Sequence, residues 1–499
     1  MKLKFLFSLL LFSGFAFAQK QDKRLLGIDD DINHLLKAYN CAGLSLAIVD
    51  NDRVIYSKGF GYRDYKKKLA VTTNTIFPIG SITKSFTSSL LGIQEQKGQL
   101  SIKNKPSYYL PQLHFYEDKM DNLITIEDLL CHKSGIGNAD ATYIFFPSGN
   151  RVKLAERLRY IKPEGEIKNS WIYSNMGYII SAAVAEKITG QSWEQLVRQD
   201  IFLPLSMTSS SVSIADMFKS SDFSFGYGMS EGKIVKVLFE QLKDANPAGG
   251  INSNVSDMAQ WIRIWLNKGS FNGKSILPDG YINEAMSIKA IDNGAPPEQE
   301  DPGVYTFGYG YGWKVNSYNG HYKVHHGGNI SGFSSNLAFY PTDKIGVVVL
   351  TNQNNSILPY LITDIVSRRM LRLPTTAWDK YPIEVADVYT RTANTKSRNQ
   401  DKKPTHDLVS YCGKYAHHGY GRFEIILEEG NLFAVFPDYK FRLEHQYYDI
   451  FKLTPVVEMS QYMNPEFYLN FSIDNGGDIS GVGIDWQTEP VQFIKQDKK

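Results

Sequence analysis

Phe77-Pro78-Ile79-Gly80-Ser81-Ile82-Thr83-Lys84-Ser85-Phe86-Thr87 is the stretch on which the reading of this chain turns. A β-branched, turn-rich lead-in from Val71 to Ile79 ends at a proline and a glycine. After it Phe86, Leu90, Leu91 and Ile93 recur at helical spacing until Gly98. The pattern places Ser81 where a helix begins and Lys84 one turn along it, on the same face. A helix N-terminus favours negative charge, which helps a serine hydroxyl ionise and helps its intermediates carry an oxyanion. A buried amine beside a second cation has a lowered pKa and can take the serine proton. Ser81 and Lys84 are thus a candidate nucleophile and base in a Ser-x-x-Lys arrangement. On its own the motif reads equally as an N-cap serine with a solvated lysine. Ser230-Glu231-Gly232-Lys233 matches too, but it lies in Gly-rich polar sequence with no helical pattern behind it and is read as chance.

The bulk numbers narrow the class. A chain of 499 residues exceeds one ordinary core, so two or more domains are expected. With 42% hydrophobic and 13% aromatic residues it is a folded globular protein. A net charge of +2 argues against a general nucleic-acid or anionic-membrane partner. Residues 1–18 read as a secretory signal peptide: Lys2 and Lys4, an apolar run from Phe5 to Phe15, and Ala16-Phe17-Ala18 at the cleavage point. The run is shorter than the ~20 residues of a membrane span, which weighs against the alternative of an anchor. No cysteine follows the cleavage point, and no later segment is long and apolar enough to cross a membrane. A secreted or periplasmic location is the expectation. Cys41, Cys131 and Cys412 are an odd number without metal-type spacing, and read as mostly buried, unpaired packing residues.

Along the chain, residues 24–40 read as a helix, and 44–49 and 53–56 as strands joined by the Asp50-Asn51-Asp52 turn. From Lys84 to about Leu266 helical patterns dominate. Thr125 can cap a helix with Asp128 at its third position, Tyr178–Ile188 ends at Gly190, and Val255–Leu266 is capped by Ser256 or Asn254. Strand patterns return at Gly308–Trp313, Tyr322–His326, Ser334–Tyr340 and Ile345–Leu350, followed by a helix over Ile357–Leu371. The fold class is α+β: an antiparallel sheet completed by both ends of the domain and flanked by helices, beside an all-helical lobe. Residues 390–406 lack an apolar pattern and read as a linker. After it, six short strand patterns between Arg422 and Trp486 point to a small antiparallel β domain, sandwich or barrel. The expected division is 1–18 signal, 19–389 catalytic domain, 390–406 linker and 407–499 β domain.

Two further motifs keep Ser81 and Lys84 company. Tyr173-Ser174-Asn175 precedes a helix, so it sits on a loop of the helical lobe. A tyrosine beside a lysine can act as a phenolate base or proton shuttle, and an asparagine two residues on points to the same side of an extended loop. Tyr-x-Asn also occurs at Tyr281, Tyr462 and Tyr468, so the motif is weak alone. His326-Gly327-Gly328 lies on a strand, where Gly327 and Gly328 would let a substrate backbone approach the edge. The Asn329 N–H could pair with that of Ser81 as an oxyanion hole, and His326 would offer a donor near the leaving group or a substrate carboxylate. A packed or metal-ligating histidine is the alternative, with His325 as competitor. No further ligands stand at suitable spacing, so no metal and no cofactor are expected.

Ser81-Ile82-Thr83-Lys84, Tyr173-Ser174-Asn175 and His326-Gly327-Gly328, in this order and at about these distances, resemble the three motifs of the serine beta-lactamase and penicillin-binding-protein superfamily. The nearest branch is the class C beta-lactamase-like group, which holds D-alanyl-D-alanine carboxypeptidases, D-aminopeptidases and carboxylesterases beside true class C enzymes. Leu129 to Gly135, Pro204 to Thr208, Ala248 to Ile251 and Gly308 to Trp313 also look like that branch, so the resemblance covers about residues 25–375. Residues 407–499 look like its lipocalin-like C-terminal domain. The resemblance implies an acyl-enzyme: Ser81 attacks, Lys84 and Tyr173 manage its proton, Asn175 and His326 line the substrate site, and the Ser81 and Asn329 N–H groups hold the oxyanion. True class C enzymes usually carry a lysine in place of His326. A histidine is charged only part of the time near neutral pH, which tilts the expectation toward a D-amino-acid peptide, amide or ester and away from an efficient beta-lactamase. A true beta-lactamase and a catalytically silent peptide- or ligand-binding protein remain the alternatives. The expected partner is a small-molecule or peptide substrate, without nucleic acid or a membrane span after signal removal; a homo-oligomer stays open. Tyr143–Phe146, Ser221–Met229 and Ile291–Tyr305 are the loops expected to line the pocket. The β domain is expected to pack on the hydrolase domain and shape the cleft or mediate assembly.

Overall fold

Both ends of the catalytic domain meet in one sheet. In a computed structural model of the chain, which describes residues 22–294, 296, 303–375, 402–456 and 467–496, nine antiparallel strands lie side by side. Their spatial order is 290–293, 304–309, 314–318, 321–330, 333–340, 345–351, 43–50, 53–64 and 69–70. The early strand Gly43–Asp50 pairs with the late strand Ile345–Thr351, Ala47 opposite Val348. Side chains alternate across these two strands with period two. Leu46, Ile48, Val347 and Val349 pack under the outer helices Ile28–Ala38 and Leu358–Leu371. Ala47, Val49, Val348 and Leu350 face the inner core with Phe86 and Trp261. Both faces are buried, which is why the strands read as nearly continuous apolar runs.

The inner face carries the helical lobe. The Thr83–Gln96 helix is buried almost throughout, and its Phe86 ring stacks on Trp261 at 3.9 Å. The Asn175–Thr189 helix packs beside it and stops at Gly190 in the left-handed conformation. Thr125 and Asp128 form the reciprocal cap read from the sequence, and of the two candidates at the later helix it is Asn254 that caps. Ser230-Glu231-Gly232-Lys233 is a hairpin turn, in keeping with its being a chance match. Two strand boundaries move. The strand expected at Gly308–Trp313 runs Val304–Tyr309, because the backbone then folds over so that the Gly310 N–H donates to Trp313 O at 2.8 Å. The strand expected at Tyr322–His326 extends over His321–Ile330. No disulfide joins the cysteines; Cys41 and Cys131 are buried and Cys412 partly so. Residues 1–18 and 390–401 lie outside the described residues. Among the described residues no helix is long and apolar enough to cross a membrane.

The C-terminal unit is a closed barrel of eight antiparallel strands. Its first and last strands, Gly413–His417 and Val491–Gln496, close it with Ala416 opposite Ile494. The sequence patterns give only the strands between them. The interior is filled by rings such as Tyr415, Phe423, Phe436, Phe471 and Phe493, with Phe423 stacked on Phe436 at 4.7 Å. It is a packed core, as expected of an eight-stranded barrel of this size. The barrel sits on the helical lobe. Phe145 and Phe146, just after the short Ala141–Ile144 helix, enter it: Phe145 stacks on Trp486 at 5.1 Å and Phe146 on Phe493 at 6.0 Å. Lys243–Asp438 (2.6 Å) and Lys162–Glu489 (3.0 Å) pair around the contact.

Candidate active site

Ser81 lies in a single turn of 3-10 helix, Gly80–Ile82, that runs straight into the Thr83–Gln96 helix. Gly80 sets this turn. It has φ +54°, and a Cβ on it would stand 2.9 Å from the Asn329 nitrogen. The turn is therefore pressed against the His321–Ile330 strand. The neighbouring Lys314–Tyr318 strand pairs with it only as far as His325. From His326 onward that edge faces the Ser81 turn. Gly328 is needed there because a Cβ would meet the Ile79 carbonyl, and a side chain at Gly327 would collide with the Tyr360 hydroxyl. Both glycines serve packing, Gly328 against the turn that carries Ser81. Ser335 pins the turn, its hydroxyl donating to Ile79 O at 2.9 Å.

Lys84 is fully buried, and its Nζ reaches three oxygens: Ser81 Oγ at 3.0 Å, Asn175 Oδ1 at 2.7 Å and Ala248 O at 2.8 Å. The inventory suits a neutral amine, which has two N–H donors and one lone pair. The two carbonyl oxygens can only accept, so they take the two N–H groups and leave the lone pair for the Ser81 hydroxyl proton. Burial pushes the Lys84 pKa down to about 7, and the nearby Asp140 carboxylate pulls it back up. Desolvation, rather than the second cation expected from the sequence, is what lowers it. Asn175 is held in turn: its Nδ2 donates to Asp140 Oδ2 at 3.0 Å and to the Tyr143 hydroxyl at 3.1 Å.

Tyr173 presents its ring face to Lys84, with Nζ 4.7 Å from the ring centroid. The loop that carries it is fixed from below by His132. That imidazole is buried, lies 4.3 Å from the Tyr173 ring, and accepts the Ser174 N–H on Nδ1 at 3.1 Å. Burial, followed by the Lys84 charge, holds the His132 pKa well below the ordinary range, so the ring is neutral. His326 is 3% exposed. Its Nδ1–H donates to Gly327 O at 2.6 Å, which leaves Nε2 to accept from the Tyr309 hydroxyl at 2.8 Å. Burial and then Lys84 push its pKa down to about 3. It is a neutral, internally bonded residue at the base of the strand, with no ring N–H left over for a substrate carboxylate.

A cavity of about 370 Å³ opens over Ser81. Gly80, Asn175, Ala248 and Asn329 border Ser81; His326 and Tyr173 are not among the lining residues. Of the loops expected to line it, Tyr143 to Phe145 do so and Ser221–Met229 does not, while Ile291–Tyr305 lies partly outside the described residues. Glu240, Leu242, Ala245 and Ala248 line it as well, with Phe467, Asp485 and Trp486 of the barrel. Asp140, His132, Tyr309 and the Ala248 carbonyl are functional groups the sequence reading left without a role. Ala248, His132 and Tyr309 stood inside quoted stretches, but nothing local marked what they touch. Among the described residues no group of histidine, cysteine or acidic side chains could hold a metal ion.

Comparison with known proteins bears on this geometry. The family model for beta-lactamase matches residues 28–365, and a model for a domain of unknown function matches residues 397–497. The chain belongs to the beta-lactamase family. A relative from Aspergillus violaceofuscus named unguisins hydrolase is 25% identical, over 92% of this chain and 87% of its own length. The protein Flp of Staphylococcus aureus is 28% identical over 67% of this chain and 64% of its own length. The fold of this beta-lactamase-family chain resembles that of an octameric penicillin-binding protein homologue from Pyrococcus abyssi, with a TM-score of 0.61 and 23% identity over 94% of this chain and 99% of that one. The antiparallel sheet, the helical lobe and the C-terminal barrel all fall within that likeness.

Proposed function

We propose that this beta-lactamase-family protein is an exported serine hydrolase that acts through a Ser81 acyl-enzyme on a D-amino-acid peptide, amide or ester. The observation that carries the reading is the buried Lys84 amine, 3.0 Å from Ser81 Oγ at the floor of an open cavity. Lys84 accepts the hydroxyl proton as Ser81 Oγ bonds to the substrate carbonyl carbon. The Ser81 and Asn329 N–H groups face the resulting oxyanion. The C–N or C–O bond breaks, and the proton on Lys84 passes to the leaving amine or alcohol. Water then adds to the acyl carbon, gives its proton back through Lys84, and frees Ser81 and the product acid. Tyr173, against the Lys84 ammonium, stabilises the charged state of that amine between the two proton transfers. The name of the Aspergillus relative supports hydrolysis as the reaction.

Intact mass of the purified full chain tests this, with an alkyl fluorophosphonate and with a penicillin. The expected result is one phosphonyl adduct that Ser81→Ala abolishes. A persistent penicilloyl adduct would add penicillin binding, and rapid turnover of the penicillin would favour a true beta-lactamase. Failure of the wild type to take up either reagent overturns the hydrolase reading in favour of a silent binding protein.

A further inference from the structure

The wall of the cavity over Ser81 has an unbalanced charge. Three carboxylates line it, Asp140, Glu240 and Asp485, and among the described residues no lysine, arginine or histidine does. None of the three takes part in an ion pair among the described residues, whereas Asp438 and Glu489 at the barrel contact do. Asp140 is bonded by Asn175 and belongs to the Lys84 network. Glu240 accepts from Ser331 alone, from its hydroxyl at 3.2 Å and from its backbone N–H, next to the open strand end at Ile330, and meets no cation among the described residues. Burial holds its pKa above the ordinary value, the mark of a carboxylate that has lost water without gaining a counter-charge. Asp485 stands exposed at the mouth, brought there by the barrel. Between them the wall is aromatic: Tyr143, Phe145, Phe467 and Trp486.

We propose that the substrate presents a primary ammonium to this wall, anchored on Glu240 inside and drawn in by Asp485 at the mouth. The inference rests on the hydrolase reading and names its substrate class: amines with a free positive charge near the scissile carbonyl, such as a peptide or amide with an unblocked amino group. A cation in this cavity gains a counter-charge from Glu240 and faces of negative potential from the surrounding rings. A substrate carboxylate meets like charge there, since no described lining residue is a cation and Lys84 beneath Ser81 is neutral when it acts as base. N-acylated and carboxylate-bearing molecules are therefore selected against.

The test uses the full chain and a matched pair of serine-directed probes, a diphenyl 1-aminoalkylphosphonate and its N-acetyl derivative. Both are read by the rate at which the Ser81 adduct appears in intact mass, beside the uncharged alkyl fluorophosphonate. The expected result is labelling by the ammonium probe at least about tenfold faster than by the N-acetyl probe. Glu240→Gln should lower that ratio several-fold, Asp485→Asn less, and Glu240→Asp should keep part of it. Equal rates for the pair in the wild type overturn the inference, and so does a ratio that Glu240→Gln leaves unchanged. The wild-type ratio needs no variant to fold. Loss of fluorophosphonate labelling would instead strike the hydrolase reading itself, so the two failures are distinguishable.

Discussion

At Lys84, burial and hydrogen bonding meet on one atom. An amine with a pKa of about 7 is protonated below neutrality and then has no lone pair for Ser81. The rate of Ser81 labelling by an uncharged fluorophosphonate should therefore rise with pH through a midpoint near 7 and level off above it. Asp140 raises the Lys84 pKa through its charge. Asp140→Asn should thus move the midpoint to lower pH, while lowering the plateau because the hydrogen bond from Asn175 loses its charged acceptor. A pH–rate profile of both proteins decides it; a midpoint that stays in place would mean that Asp140 is not charged in the working enzyme.

One strand, His321–Ile330, carries histidines on both faces of the sheet. His326 points toward the nucleophile side and bonds Tyr309, while its neighbour His325 is directed to the other face. Ser81, Lys84 and Asn175 were legible in the sequence because a helix start, an i to i+3 spacing and a loop before a helix are local patterns. His326 was legible as a site neighbour but not as a neutral, doubly bonded ring, because its partner Tyr309 arrives from a strand two places away in the sheet. The barrel-closing strands stayed hidden for a similar reason: Gly413–His417 is short, and only its partner Val491–Gln496 gives it meaning. The buried histidines have a thermodynamic consequence. The His326 pKa is about 3 in the folded chain and near 6.5 when unfolded. Between those values the unfolded state binds a proton that the folded state does not, so the contribution of this histidine is flat above about pH 6.5 and stability falls as pH drops below it. His132 and His325 shift the same way. From pH 6.5 down to about 5, before ordinary carboxylates titrate, urea unfolding should show this loss. His326→Gln should reduce the slope by one proton, about 1.4 kcal/mol per pH unit.

For the molecule as a whole, the barrel is a wall of the active site, and two phenylalanines join it to the rest. Phe145 and Phe146 leave the lobe that supplies Asp140 and Tyr143 and end among Phe436, Trp486 and Phe493. Arg157 ties the same corner, its Nη1 donating to the carbonyls of Thr142 (2.9 Å), Phe146 (2.7 Å) and Tyr420 (3.3 Å). The corner that holds Asn175 in place is thus also the corner that seats the barrel. Phe146 is 3% exposed, and truncating a buried ring of this kind costs about 3–5 kcal/mol. Phe146→Ala should lower Tm and expose the joint between lobe and barrel, so that limited proteolysis releases a C-terminal fragment faster than from the wild type. Because Trp486 and Phe145 share the cavity wall, the same variant should lose part of its preference between charged and N-acetylated probes while Ser81 still takes up fluorophosphonate. If Tm and proteolysis shift but the preference does not, the barrel supports the site without shaping its specificity; if neither shifts, the aromatic joint carries little of the cohesion between the two units.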